Sequence, residues 1–195
     1  MQLPLNCEAT YYKEFLESQE AQNLFMKLME LMKQVSFNPQ TVDGKKYDVN
    51  FNKIMFVDQD LLEENKFPEE QWGAVRGWFE DLKRVKVKIE DHTGNRFQVC
   101  VLIYYPDGNS GVDFHSDFTA FGDTSLIPSL SLGEERTFTL REKESGKEFS
   151  TELAHGSLII MGEHCQERYE HSLPIDPIYK NPRINLTFRK YGFEN

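Results

Sequence analysis

The stretch Phe114-His115-Ser116-Asp117-Phe118 places an imidazole and a carboxylate two positions apart. On a strand, residues i and i+2 point to the same side. His115 and Asp117 would then project together and offer two ligands to a divalent metal, and a third must come from elsewhere in the chain. Of the five histidines, three follow this pair. His155 stands beside Gly156 and reads as a turn residue, His164 lies in the polar stretch 162–168, and His171 sits in YEHSLP. Spacing alone does not choose among them. Two His and one carboxylate on one face of a metal leave open positions, the arrangement of non-haem Fe(II) oxygenases, which must admit a co-substrate and oxygen. An isolated H-x-D is a weak signal and is more often a hydrogen-bonded surface pair.

The segment PRINLTFR, residues 182–189, adds a second set of chemically capable groups. Its alternation puts Ile184, Leu186 and Phe188 on one face of a strand and Arg183, Asn185, Thr187 and Arg189 on the other. An apolar face is core. A polar face with two guanidinium groups in line is either solvated or built to take an anion, because arginine binds carboxylates through paired hydrogen bonds. A dicarboxylate would match two such groups. Cys7, Cys100 and Cys165 are far apart and in no CxxC pair, so neither a disulfide framework nor a thiolate metal site is expected.

These residues need a scaffold. Ala21, Leu24, Phe25, Leu28, Met32 and Val35 recur at helical steps and predict a helix over 18–35 with Ser18 as its cap. Trp72, Val75, Phe79 and Leu82 predict a second helix over 68–83, with Pro68 in its first turn. Residues 36–67 between them are polar and irregular, with turn signals at Asn38-Pro39 and Asp43-Gly44, and Tyr47, Phe51 and Phe56 lie among Lys45, Lys46 and Lys53. That stretch reads as a surface hairpin or as a lid over a pocket. Val85, Val87 and Ile89 then alternate with Lys86, Lys88 and Glu90, which predicts a half-buried strand. Further strands are expected within 97–105, 127–132, 136–141, 157–161 and 183–189, separated by turns at Pro106-Asp107-Gly108, Gly133 and Ser145-Gly146. Helices followed by many short strands predict an α+β chain whose body is a β-sandwich or barrel.

At 195 residues with no internal repeat or linker, a single domain over 1–195 is expected, with enough chain to bury a core. No apolar run reaches the ~20 residues of a membrane span, and residues 1–15 carry no secretory pattern, so a soluble, intracellular and monomeric protein is expected. The net charge of −10 argues against tight, non-specific nucleic-acid binding, which normally leaves a basic footprint. A local basic strip at an active-site mouth remains compatible with it.

Taken together, the H-x-D pair, HGSLIIMGEHCQERYEHSLP, PRINLTFRKY and SLSLGEERTFTLRE resemble the AlkB-like branch of the Fe(II)/2-oxoglutarate dioxygenases, densely from about Phe97 to Tyr191. The resemblance implies a double-stranded β-helix (jelly roll) flanked by N-terminal helices. It implies iron at His115, Asp117 and His171, and 2-oxoglutarate held by Tyr105, Arg183, Asn185 and Arg189, with O2 as the second co-substrate. It also implies oxidative removal of N-methyl groups from DNA or RNA bases that are flipped out or single-stranded. Tyr47 and Phe51 of the lid, with Phe118 and Thr119 after the H-x-D pair, are the candidate substrate contacts. Two departures stand out. Ile103 occupies a position where the family commonly has Asn, and Phe118-Thr119-Ala120 replaces the acidic residues that repair members carry there. The alternative substrate, given those departures and the acidic charge, is a protein side chain or a small molecule processed by the same chemistry.

Overall fold

The computed structural model describes residues 1–35, 40–42, 45–47, 50–117, 119 and 122–192, with 40–42 and 45–47 described by backbone pairing alone. The chain opens with β1 (Ala9–Tyr12) and α1 (Ser18–Met32), followed by β2 (Gln40–Val42), β3 (Lys45–Tyr47) and β4 (Asn52–Val57). Short helices α2 (Gln59–Glu63) and α3 (Glu69–Trp72) lead to β5 (Ala74–Gly77) and α4 (Glu80–Thr93). The remainder is mostly strand: β6 (Val99–Tyr105), β7 (Val112–His115), β8 (Ile127–Gly133), β9 (Arg136–Glu142), β10 (Glu148–Leu153) and β11 (Ser157–Met161). One helical turn, α5 (Cys165–Arg168), precedes β12 (Tyr169–Leu173) and β13 (Arg183–Arg189).

The strands form a seven-stranded sheet in the order β1-β11-β8-β13-β6-β4-β5 and a four-stranded sheet in the order β10-β9-β12-β7. From β7 onward the chain passes back and forth between the two sheets, apart from the β9–β10 hairpin within the smaller one, which makes the jelly roll that the resemblance implies. Between the sheets, Tyr11, Ile127, Ile159 and Met161 of the larger pack on Phe138, Leu140 and Tyr169 of the smaller. The opposite face of the large sheet is covered by helices. Ile54, Phe56, Leu102, Leu130, Ile184, Leu186 and Phe188 pack there against Leu24 and Leu28 of α1 and Leu82, Val85 and Ile89 of α4. Each fully buried side chain of this kind contributes about 1.5–3 kcal/mol.

Three expected elements are corrected. The helix over 68–83 is instead a single turn, a strand and the start of α4. Gly73, at φ +78°, stops α3, and Val75 then pairs in parallel with Met55 on β4. The strand over 85–90 is the middle of α4. Leu82, Val85 and Ile89 are buried on one side while Val87 is exposed, so the three- and four-residue period prevails over the two-residue one. Gly94 in the left-handed region closes that helix. Among the described residues of the stretch 36–67, the β2–β3 hairpin stands apart from the large sheet, whereas β4 is an interior strand of it and Phe56 is core. The turn signals at 38–39 and 43–44 lie outside the described residues. At the first helix, Glu17 takes the capping position without a side-chain bond, and Ser18 is already helical. Cys7 and Cys165 form a disulfide across a separation of 158 residues, against the expectation of none, while Cys100 is free and buried. The fold brings the chain's N-terminal segment onto α5, a proximity that cysteine spacing does not encode.

Candidate metal centre and co-substrate pocket

β7 and β12 are antiparallel neighbours in register at His115 and His171, which places the two imidazoles side by side, 4.4 Å between ring centroids. β12 is interior to its sheet, flanked by β9 and β7, so His171 is only 8% exposed. Burial pushes its pKa down to about 4, so the ring is neutral near pH 7 with a lone pair to give. His115 donates from Nδ1 to the carbonyl of Asp113 at 2.8 Å, since a carbonyl can only accept; Nε2 is then the ring nitrogen on the side of Asp117.

Asp117 lies two residues past the end of β7. Its Oδ1 is 4.0 Å from His115 Nε2 and 3.8 Å from His171 Nε2. Its Oδ2 is buried without a hydrogen bond, 3.9 Å from a guanidinium nitrogen of Arg189. Ligand atoms of all three residues lie within 4.8 Å of one another. Two imidazoles and a carboxylate with a buried oxygen that accepts no hydrogen bond fit a divalent cation: the distant Arg189 guanidinium offsets only part of that oxygen's desolvation cost. His155 and His164 do not join the group. His155 accepts the backbone N–H of Gly133, and His164 bonds Glu167.

The polar face of β13 is the inner face of the large sheet; its two arginines are buried, and Asn185 and Thr187 between them are partly exposed. Arg183 and Arg189 are each 2% exposed. Arg183 donates to Ser131 Oγ at 2.9 Å and Asn185 Oδ1 at 3.3 Å, while its Nε is buried without a partner. Asn185 accepts from Ser129 Oγ and donates to Thr187 Oγ1. Tyr105 sits directly across from Arg183 in register, and the guanidinium lies 5.5 Å from its ring. Burial lowers the Arg183 pKa to about 10 and raises that of Tyr105 to about 12, so near neutral pH the first stays a cation and the second keeps its O–H donor. This pocket suits a buried carboxylate. Ile103 is paired with Asn185 on the same face, so an apolar side chain fills the position where the family's Asn is expected.

The candidate substrate contacts divide. Phe51 lies 6.0 Å from the Tyr105 ring and borders the pocket. Tyr47 is at the end of β3, paired with Gln40. Thr119 is exposed, and its carbonyl accepts the N–H of Gly122. Phe118 lies outside the described residues. Sequence reasoning missed Ser129, Ser131, Arg136 and Gln166. The alternation in SLSLG could have put the two serines on the inner face. Arg136 is fully buried and donates to the carbonyls of Asp107, Ser110 and Pro174, bracing the turn behind Tyr105. Gln166 accepts the backbone N–H of Asp117 at 2.8 Å. Nothing in their spacing signals either of these last two.

A jelly roll that gathers two imidazoles and a carboxylate beside buried arginines defines a non-haem oxygenase class. The family description of the 2OG-Fe(II) oxygenase superfamily matches residues 8–189, and the chain belongs to that family. Fe(II), 2-oxoglutarate and O2 come with that membership. Within the family the chain is similar to AlkB homologues. It is 36% identical over 122 residues to the alpha-ketoglutarate-dependent dioxygenase alkB homolog 3 of Mus musculus, covering 57% of this chain and 43% of that protein. It is 37% identical over 128 residues to the DNA oxidative demethylase ALKBH2 of Bos taurus, covering 60% and 45%. The match thus spans less than half the length of these curated relatives. The fold is also that of the solved structure of OsALKBH1, with TM-score 0.67, 17% identity, and coverage of 96% of this chain and 100% of that one. A Trichoplax adhaerens prolyl hydroxylase, solved with a hypoxia inducible factor peptide, has TM-score 0.67 at 12% identity, covering 94% of this chain and 83% of its own. Among the described residues, no helix is long and apolar enough to cross a membrane.

Proposed function

We propose that this protein is an oxidative demethylase of N-methylated bases in DNA or RNA, acting as one domain over residues 1–195. His115, Asp117 and His171 hold the iron in this reading. Arg183, Asn185 and Tyr105 take the distal carboxylate of 2-oxoglutarate, and Arg189 takes the carboxylate nearer the metal. The observation that carries it is the convergence of three ligand atoms within 4.8 Å on the face that buries both arginines. The names and the 36–37% identity of the AlkB homologues support the substrate class.

When bound, the iron with 2-oxoglutarate and O2 supplies the oxidising power that turns a methyl C–H into C–OH, with succinate and CO2 as co-products. The hydroxymethyl group on nitrogen then leaves as formaldehyde. The chain's own part is positional. Arg183 keeps its charge in a dry pocket and offers an unpartnered Nε to a carboxylate. Tyr105 keeps its phenolic proton and can donate it. In this reading an extruded base would stack on Phe51, which lies beside Tyr105, with Tyr47 of the β2–β3 hairpin as the second candidate contact.

The test incubates the protein with Fe(II), 2-oxoglutarate, O2 and single-stranded oligonucleotides carrying 1-methyladenine or 3-methylcytosine. Oligonucleotide mass and succinate are read together. Methyl loss matched by succinate is expected. Succinate formed with every methylated oligonucleotide left intact would reject the substrate while leaving the oxygenase.

A further inference from the structure

Asp117 is held unusually for a residue so close to a candidate metal. It lies beyond β7, and its backbone N–H goes to a side chain, Gln166 Oε1, rather than to a neighbouring strand. The Gln166 amide is itself oriented, because its Nε2 donates to Met161 Sδ at 3.5 Å and so turns the oxygen toward Asp117. The preceding residue is tied to the same place, with Ser116 Oγ donating to the carbonyl of Tyr169.

Gln166 rides on α5, a single turn that the N-terminal segment laces down. Glu8 exchanges backbone bonds with Gly162 and Glu163, the Asn6 N–H donates to the Tyr169 hydroxyl, and Arg168 donates to the Asn6 carbonyl. The Cys7–Cys165 disulfide closes this contact one residue before Gln166. Cys165 is 1% exposed, while Cys7 is only partly buried and can be reached by a reductant.

We propose that Gln166 is a positioning residue for the Asp117 carboxylate, and that the Cys7–Cys165 disulfide, by fastening the turn that carries it, makes metal affinity depend on the redox state of that pair. The inference rests on the reading of Asp117 as a metal ligand. Reduction by a small dithiol breaks the S–S bond. The dithiol gives two electrons and two protons and closes to its own disulfide, and Cys7 and Cys165 become thiols. The turn then keeps only its hydrogen bonds, and the acceptor that fixes Asp117 loosens.

Co(II) is titrated into the full chain without 2-oxoglutarate, reading the visible d–d bands. The proteins are the oxidised wild type, the wild type reduced by dithiothreitol that is then removed, and the variants Gln166→Leu, Gln166→Glu, Cys7→Ser and Asp117→Ala. Melting of the metal-free proteins checks that each is folded. Gln166→Leu, which removes the acceptor at similar volume, is expected to bind Co(II) about 10–100-fold more weakly, with altered bands. Gln166→Glu keeps the acceptor and is expected to stay near the wild type. The reduced wild type and Cys7→Ser should weaken several-fold and alike. Wild-type affinity in Gln166→Leu, or a loss in Gln166→Glu equal to that in Leu, would overturn the positioning role. Equal affinities in the oxidised and reduced forms would overturn the redox dependence. Undiminished binding in Asp117→Ala would overturn the ligand reading itself, independently of Gln166.

Discussion

The two faces of β13 are made of opposite materials: the apolar face is fully buried, and the polar face is buried at its two arginines and partly exposed at Asn185 and Thr187 between them. Toward α1 and α4 it presents Ile184, Leu186 and Phe188, all at 0% exposure; toward the small sheet it presents Arg183 and Arg189 at 2%. The first face needs only apolar volume at native packing density. The second pays a desolvation cost at its buried polar atoms: Arg183 Nε has no hydrogen bond, and neither does Asp117 Oδ2, which faces Arg189 from beyond β7. Burial alone therefore does not distinguish core from site in this fold. An orphaned polar atom points to a site only where it joins a cluster of ligand atoms, as Asp117 Oδ2 does and those of His155, Ser157 and Ser172 do not.

The sharpest way to break this contrast is at the metal cluster. His115→Ala removes one of three ligands and is expected to abolish Co(II) or Fe(II) binding in the micromolar range, along with 2-oxoglutarate turnover. Its melting temperature without metal should stay close to that of the wild type, since His115 is partly exposed. Turnover and metal binding that survive the change would dissolve the assignment of the inner face as a site. The converse applies on the outer face. Phe188, at 0% exposure, stacks on Trp78 and meets Phe97 edge-on. Phe188→Ala should cost about 3–5 kcal/mol of unfolding free energy in urea titration, with metal affinity per folded molecule unchanged. A loss of metal affinity larger than the loss of folded protein would mean that the two faces are coupled.

Arg183→Met keeps much of the side-chain volume and removes the charge. The KM for 2-oxoglutarate is expected to rise about 10–100-fold, equivalent to about 1.4–2.8 kcal/mol, because a buried anion would lose its charged partner. Thermal stability should hold or rise, since an incompletely bonded buried cation is replaced by an apolar group. An unchanged KM would return Arg183 to a structural role among Ser131, Asn185 and Tyr105.

The same contrast explains what was legible in the sequence. The alternation in PRINLTFR was readable because a strand has a fixed period of two. Whether the polar side met water or a pocket was not, because that depends on β12 and β7 closing over it. The choice of His171 over His155 and His164 came from the family resemblance, since the pairing of β12 with β7 is a contact between residues more than fifty positions apart. The wrong assignments fall in the N-terminal half, while in the C-terminal half β7, β10 and β12 went unread. The run V-K-V-K-I-E fits both a two-residue and a helical period, and the large sheet, already filled by β4, β5 and β6, decided for the helix. β4 was hidden because its apolar residues sit in a polar neighbourhood that reads as loop. The disulfide and the Gln166 bond are tertiary accidents of a chain end landing on a turn, with no local signal.

The smallest expected effect lies where the apolar and polar regions meet, at the mouth beside β4. Phe51 is half-buried and 6.0 Å from the ring of Tyr105, so it belongs neither to the packed outer core nor to the hydrogen-bonded pocket. If it stacks against an extruded base, Phe51→Ala loses one aromatic contact, worth about 1–3 kcal/mol. The KM for a methylated oligonucleotide should then rise, while 2-oxoglutarate turnover in its absence stays at the wild-type rate. Tyr47→Ala, on the β2–β3 hairpin, should act in the same direction, and the two should add if they touch different parts of the substrate. Parallel falls in melting temperature and uncoupled turnover would instead put Phe51 with the core, and the boundary between the two materials would move one residue outward along β4.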